Sequence, residues 1–297
     1  MLADPLGGVR DWTSYFAHLQ IPILRRTARA LAAFAGDEEA ISARDVATLI
    51  IDDPLATTRL FAYLAQHRSQ RQLTEITSVE GAVVMSGVPP VLNQFSGAPE
   101  IESELCGRPQ AMRGLLRVVR RARRAAGFAW RFAAWRNGHD ASAMATAALL
   151  HEFIEIMLWA SAPDLALRIA AMQRADPTLR SRTAQQLVLN VELDELRYEL
   201  AQAWQLPELY QEAMHATATS HPRALLVLQA VNLARHSATG WHNPALPEDF
   251  LAIATLLNTR VDRVRAMVEP NGLAATGVSA CAPPADASGA TPLAAAA

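Results

Sequence analysis

The sequence predicts an all-α fold. Three observations lead there. Apolar residues recur at spacings of three and four, helix-start signals punctuate the chain, and the period-two alternation with turn dipeptides that marks hairpins is missing throughout. Hydrophobic residues make up 51% of the 297 and charged ones 19%, enough apolar material for a sizeable core.

Each element can be placed from these signals. Residues 1–14, broken by Pro5, Gly7 and Gly8, read as an N-terminal extension. Val46, Leu49 and Ile50 form a short apolar stripe. Asp53-Pro54 then sets a capping carboxylate before a proline at the first helical position. Leu55, Leu60, Phe61 and Leu64 continue that helix on one face. Thr77-Ser78-Val79-Glu80 reads as a capping box with Glu80 reaching back to the cap. Residues 96–110 form a connector that subdivides the 15–235 domain. Asp140 of His139-Asp140 follows Asn137-Gly138 and caps the next helix rather than forming a catalytic pair. Asp176-Pro177, Leu206-Pro207 and His221-Pro222 open further helices. Residues 237–247 make a loop, so that 236–269 add C-terminal helices. The tail from 270 to 297, rich in Ala and Pro, cannot offset its ordering entropy by burial and is expected to be disordered.

Composition narrows the function classes. Net charge is -2, so the whole chain is not drawn to nucleic acid or anionic lipid. All 27 basic residues are arginine, in keeping with a GC-rich bacterial genome. Mean hydropathy is +0.08, yet no stretch approaches the ~20 apolar residues of a membrane span. The N-terminus lacks the basic start and apolar run of a signal peptide, and a cytoplasmic protein is expected. Cys106 and Cys281 are too few and too far apart for a disulfide framework. GxxxxGK, GxGxxG and GxSxG are all lacking, so neither a phosphate-cradling loop nor a nucleophile elbow is present, and no cofactor is expected.

Several short patterns together resemble the HDOD family, degenerate helical relatives of the HD phosphohydrolases. Ile21-Pro22-Ile23 looks like its opening proline-centred motif. Ile51-Asp52-Asp53-Pro54 with Thr57 and Leu60-Phe61 looks like its aspartate-proline helix start. Ile76-Thr77-Ser78-Val79 with Ala82 and Gly87 resembles a helix that ends in glycine. Leu149-Leu150-His151-Glu152 matches the remnant of the HD motif. Trp204-Gln205-Leu206-Pro207 matches a tryptophan-x-leucine-proline signature ahead of His215. The order and spacing agree over roughly residues 15–235. The resemblance implies an all-helical, HDOD-like fold of two packed helical subdomains and a role in bacterial signalling or regulation.

The departures bear on chemistry. Ala65-Gln66 stands where the family usually shows asparagine-serine, and the HD pair is His151-Glu152. Catalytic HD enzymes place two histidines and two aspartates around a metal. The first histidine is lacking in residues 125–138, and the position matching the last aspartate is Arg235. A guanidinium repels a cation and cannot ligate it. The resemblance therefore implies a cleft lined by His151, Glu152, His215 and Arg235, with Arg235 able to hold an anion where a metal's charge would sit. His151 can equally be a core histidine bonded to a carbonyl, to Glu152 or to Glu155.

One further segment carries charge. Residues 113–136 hold eight arginines, and Arg113, Arg117, Arg120, Arg124 and Arg131 share one helical face. That face is either solvated, paired with Glu100, Glu102 and Glu104, or a surface for an acidic protein, nucleic acid or anionic lipid. A signalling protein partner ranks ahead of nucleic acid, because no groove-reading motif accompanies the arginines. The expected function is a non-catalytic signalling scaffold that binds a protein partner or a small anionic ligand. The alternatives are a residual metal-dependent phosphohydrolase or a nucleic-acid-associated regulator.

Overall fold

The computed structural model describes residues 1–34, 41–67, 75–136, 138–217 and 219–269. The tail expected to be disordered lies outside these described residues. Among them are seventeen α-helices and no strand. The first seven are α1 (Val9–Ala17), α2 (Arg25–Ala32), α3 (Ala43–Ile51), α4 (Pro54–His67), α5 (Val79–Ser86), α6 (Val88–Phe95) and α7 (Ile101–Glu104). The next five are α8 (Pro109–Trp135), α9 (Ala141–Leu150), α10 (Phe153–Ser161), α11 (Pro163–Ala175) and α12 (Ser181–Leu189). The chain closes with α13 (Leu193–Ala203), α14 (Glu208–Met214), α15 (Pro222–His236), α16 (Leu246–Leu256) and α17 (Val261–Val268).

The 27-residue α8 is the spine, about 40 Å long at 1.5 Å per residue. Its inner face, including Leu115, Val119, Ala122, Ala129 and Phe132, is buried against α4, α9, α10, α11 and α15. Small residues let neighbours come close. A Cβ built on Gly114 would stand 2.3 Å from the Trp159 ring of α10, so only glycine fits there.

Start signals position the N-terminal half. Asp53 is fully buried and opens α4, its Oδ1 accepting from the Leu55 N–H (3.0 Å) and its Oδ2 from the Leu24 N–H (2.9 Å). It thereby ties α4 to the start of α2. Ser78 caps α5 by accepting from the Gly81 N–H (3.1 Å), so the third helical residue is Gly81 and Glu80 does not close a box. Complete capping boxes occur instead at Ser42 with Asp45 and at Glu192 with Glu195. Gly87, at φ +83, ends α5 and starts α6. The 96–110 connector contains α7 and a single parallel bridge, with Ile23 donating to Pro99 O (2.9 Å) and accepting from the Ile101 N–H (2.9 Å).

Other starts depart from expectation. Asp176-Pro177 begins a turn, because Asp176 bonds the Thr178 N–H and hydroxyl rather than a helix, and α12 starts only at Ser181. Asp140 stands at the N-cap of α9, but its carboxylate turns to Arg223 (2.9 Å). His221 does cap α15, with Nδ1 accepting from the Arg223 N–H (3.3 Å). The first helix is part of the core: Trp12 and Phe16 are fully buried, and Trp12 Nε1 donates to Leu189 O at the end of α12 (3.0 Å).

No single described helix is long and apolar enough to cross a membrane. The apolar pair α9 and α10 is bent by 42° and lies inside the core.

Candidate functional site

The bend between α9 and α10 falls at His151-Glu152. On a continuous helix these neighbours would diverge by about 100°. The break allows both to be buried, His151 at 8% exposure and Glu152 at 2%.

Glu152 is fully engaged. Arg121 of α8 donates from Nε to Oε1 (3.0 Å) and from Nη2 to Oε2 (2.7 Å), the two-pronged geometry of the strongest ion pairs. The same Nη2 reaches Glu155 Oε2 at 2.6 Å. Burial alone would push the Glu152 carboxyl up. The Arg121 charge and its hydrogen bonds outweigh that and hold it below the ordinary carboxylate range.

His151 bonds neither Glu152 nor Glu155, whose carboxylates are turned to Arg121. Its Nδ1 is buried with no hydrogen-bond partner. Burial first, and then the positive charge of Arg197, hold its pKa down to about 3, so the ring is neutral at pH 7.

Among the described residues three more buried side-chain atoms share this condition: the Tyr210 hydroxyl of α14, Arg197 Nε of α13 and the Thr13 hydroxyl of α1. Tyr210 is 1% exposed, with its ring 6.1 Å from that of Phe153, the first residue of α10. Arg197 also pairs through Nη1 with Asp194. The charges of Arg197, Glu152 and Asp194 act on both His151 and Tyr210. Leaving such a group buried and unpaired costs on the order of 1–3 kcal/mol.

Of the residues singled out in the sequence, His151 and Glu152 come together, and Arg235 joins them through its charge. Arg235 is itself solvent-exposed on α15, yet it lowers the pKa of both. His215 is exposed at the end of α14, edge-on to the Tyr198 ring at 5.5 Å. Three residues at the site escaped the sequence reading: Arg121, Arg197 and Tyr210. Only Arg121 left a trace, because it falls off the arginine face and on the apolar side of α8.

The arginine face is divided. Arg113, Arg117 and Arg120 are exposed. Arg124 is half-buried, donating to Ser237 O (2.8 Å) and Ser237 Oγ (2.7 Å) and lying over the Phe128 and Trp241 rings. Arg131 lies 6.0 Å over Phe128. Glu100 and Glu102 do not serve this face; they hold Arg25, through its Nε at 2.6 Å and its backbone N–H at 2.8 Å. On the same helix Trp130 and Trp135 are each 45% exposed.

The donor set does not fit a catalytic divalent ion. Among the described residues no group of three or more His, Cys, Asp and Glu could hold one. Both oxygens of Glu152 are committed to Arg121, and Asp194 is shared between Arg182 and Arg197.

Comparison with known proteins places this geometry. No curated protein matches the chain. Among solved structures it is similar to the MmoQ response regulator of Methylococcus capsulatus, at 19% identity and a TM-score of 0.62 over 84% of this chain and 98% of that one. It is also similar to a virulence factor of Campylobacter jejuni, at 17% identity and a TM-score of 0.63 over 88% and 98%. At such identities the likeness is one of fold. The HDOD domain profile matches residues 21–220, and the chain belongs to the HDOD domain family, whose members are related to the HD phosphohydrolases.

Proposed function

We propose that the chain is a non-catalytic regulatory module that acts in bacterial signalling by binding. The observation that carries this reading is the Arg121 fork on Glu152. A guanidinium sits where a hydrolase would need an open, anionic ligand set, and it satisfies both carboxylate oxygens. The positive charge of Arg235 beside His151 works in the same direction. The response-regulator name of one structural neighbour is in keeping with it.

The partner surface of this reading is the outer face of α8, where exposed Arg113, Arg117 and Arg120 stand on the same helix as exposed Trp130 and Trp135. Arginine and tryptophan are the residue types that dominate binding energy at protein interfaces. An acidic protein surface complements them.

The test is direct. Titrate the purified protein with manganese, magnesium and ferrous ions by calorimetry, and assay phosphodiester turnover with each. The proposal expects neither stoichiometric binding nor turnover. Tight metal binding with hydrolysis that Glu152→Gln abolishes would establish the phosphohydrolase instead.

A further inference from the structure

We infer that the outer face of α8 docks an acidic amphipathic helix of a partner protein, with carboxylates over Arg113, Arg117 and Arg120 and apolar side chains over Gly127, Trp130 and Trp135. The inference rests on the binding role proposed above and gives the partner its secondary structure and its polarity.

The face divides along its length. At 100° per residue, positions 113, 117, 120, 127, 134 and 135 fall within about 100° of arc, and position 130 borders them. Arg113, Arg117, Arg120, Trp130, Ala134 and Trp135 are exposed, and Gly127 is partly so. Arg124 and Arg131 share the arc but lie over the Phe128 ring. Cations therefore stand at one end and exposed indoles at the other, with about 15 Å of helix between Arg120 and Trp130.

The basic end is uncompensated within the chain. α8 contains no Asp or Glu, so pairing along the helix is not open to it. Arg121 and Arg123 reach carboxylates on other elements, Glu152 and Asp52. Among the described residues Arg113, Arg117 and Arg120 make no salt bridge, and Arg117 Nε bonds only Arg113 O of its own helix (3.3 Å). Like charges three and four residues apart on a helix repel, and a row of carboxylates laid alongside relieves that repulsion.

Gly127 supplies the second observation. The two glycines of α8 differ in what requires them. Gly114 is held to glycine from inside by the Trp159 ring, whereas a Cβ on Gly127 would meet no atom within 4 Å. Packing within the chain does not call for glycine at 127, and glycine in a helix interior is less stable than alanine. Its effect is a shallow place in the middle of the outer face. The distance between two packed helix axes is set by the side chains at their contact, so a second helix can come closest there. A straight face about 33 Å long, with contacts recurring at three and four, matches the i, i+3, i+4, i+7 row of such a helix.

The probe is a synthetic amphipathic peptide of about 20 residues, long enough to span about 30 Å as a helix. Glutamates fill one half and leucines at helical spacing the other, in both orders. A scrambled peptide of equal composition, polyglutamate, a single-stranded oligonucleotide and phosphatidylglycerol vesicles are the comparisons. Binding to the full chain is followed by fluorescence anisotropy and by the indole N–H signals of Trp130 and Trp135 in NMR. One order is expected to bind at least about tenfold tighter than the scrambled peptide and to shift both indole signals. Trp130→Ala with Trp135→Ala should speed dissociation about tenfold. Arg113→Gln with Arg117→Gln should slow association and flatten its salt dependence. Gly127→Ala should raise the melting temperature of the free protein by about 2 °C while weakening the peptide roughly fivefold.

The inference fails if neither order binds better than the scrambled peptide, or if the oligonucleotide or the vesicles bind more tightly. It also fails if Gly127→Ala binds the peptide as tightly as the parent, or lowers the melting temperature, which would mean that the chain itself requires the glycine. Polyglutamate binding as well as the amphipathic peptides would remove the helix and leave the acidic partner surface standing. The non-catalytic reading falls only to metal-dependent turnover, which none of these measurements reads.

Discussion

Replacing Arg121 with alanine tests the central electrostatic claim. The change strands Glu152, which is 2% exposed and has Arg121 donating to both of its oxygens. Glu155 has 31% of its side chain in solvent and can recover water, so the loss falls on Glu152. Removing one partner of a buried ion pair costs about 3–5 kcal/mol, and that is the expected destabilisation at pH 7. The pH dependence identifies the cause. In the parent, the depressed Glu152 pKa contributes stability above the unfolded carboxylate value, and that contribution fades as pH falls toward the folded one. In Arg121→Ala the largest opposing charge and both of its hydrogen bonds are gone, only the weaker pull of Arg235 is left against burial, and the carboxyl rises. The variant is then penalised at pH 7 and relieved on acidification, when Glu152 takes up a proton. Urea unfolding of both proteins between pH 7 and pH 4 should show the gap closing. The double variant Arg121→Met with Glu152→Leu should recover most of the lost stability, since an apolar pair avoids the desolvation of two charges. A loss below about 1 kcal/mol, or a gap independent of pH, would refute the assignment of Arg121 as the group that holds Glu152 ionised.

Other changes probe the frame around the site. Gly114→Ala should cost at least 1–3 kcal/mol in chemical denaturation, because its Cβ would enter the Trp159 ring. Trp12→Phe keeps the burial but loses the bond to Leu189 O, and should lower stability by about 1 kcal/mol and increase hydrogen exchange in α1. Asp53→Asn leaves an acceptor for only one of the Leu24 and Leu55 N–H groups; a loss of about 1–3 kcal/mol is expected, read from thermal melts. Arg117→Glu with Arg120→Glu should leave the melting curve nearly unchanged, as both side chains are exposed, while abolishing salt-sensitive capture of an acidic partner.

Much of the helical frame was legible in the residues themselves. The capping role of Asp53, the helix start at His221-Pro222 and the shared face of Arg113, Arg117, Arg120, Arg124 and Arg131 are local matters, whereas the glycine stop at Gly87 was read through the family resemblance. They depend on periodicity, backbone hydrogen bonding and allowed φ values, which a short stretch of chain dictates. The failures were also local. Thr77-Ser78 admits two capping frames one residue apart; in the fold Ser78 is the cap, and the Val79 N–H beside it donates to the Thr146 hydroxyl of α9 (3.3 Å). Asp176 satisfies a turn as readily as a helix.

The site was another matter. The sequence put His151, Glu152 and Arg235 under suspicion through resemblance alone, and it could not pair Glu152 with Arg121, 31 residues away on another helix. Nor could it show that His151, Arg197 and Tyr210 each bury a polar atom without a hydrogen-bond partner. Charge and hydrogen-bond complementarity fall off within a few ångströms in space and carry no fixed spacing along the chain. Periodicity determines which face of a helix turns inward; which buried charge meets which partner is decided only when the helices cross.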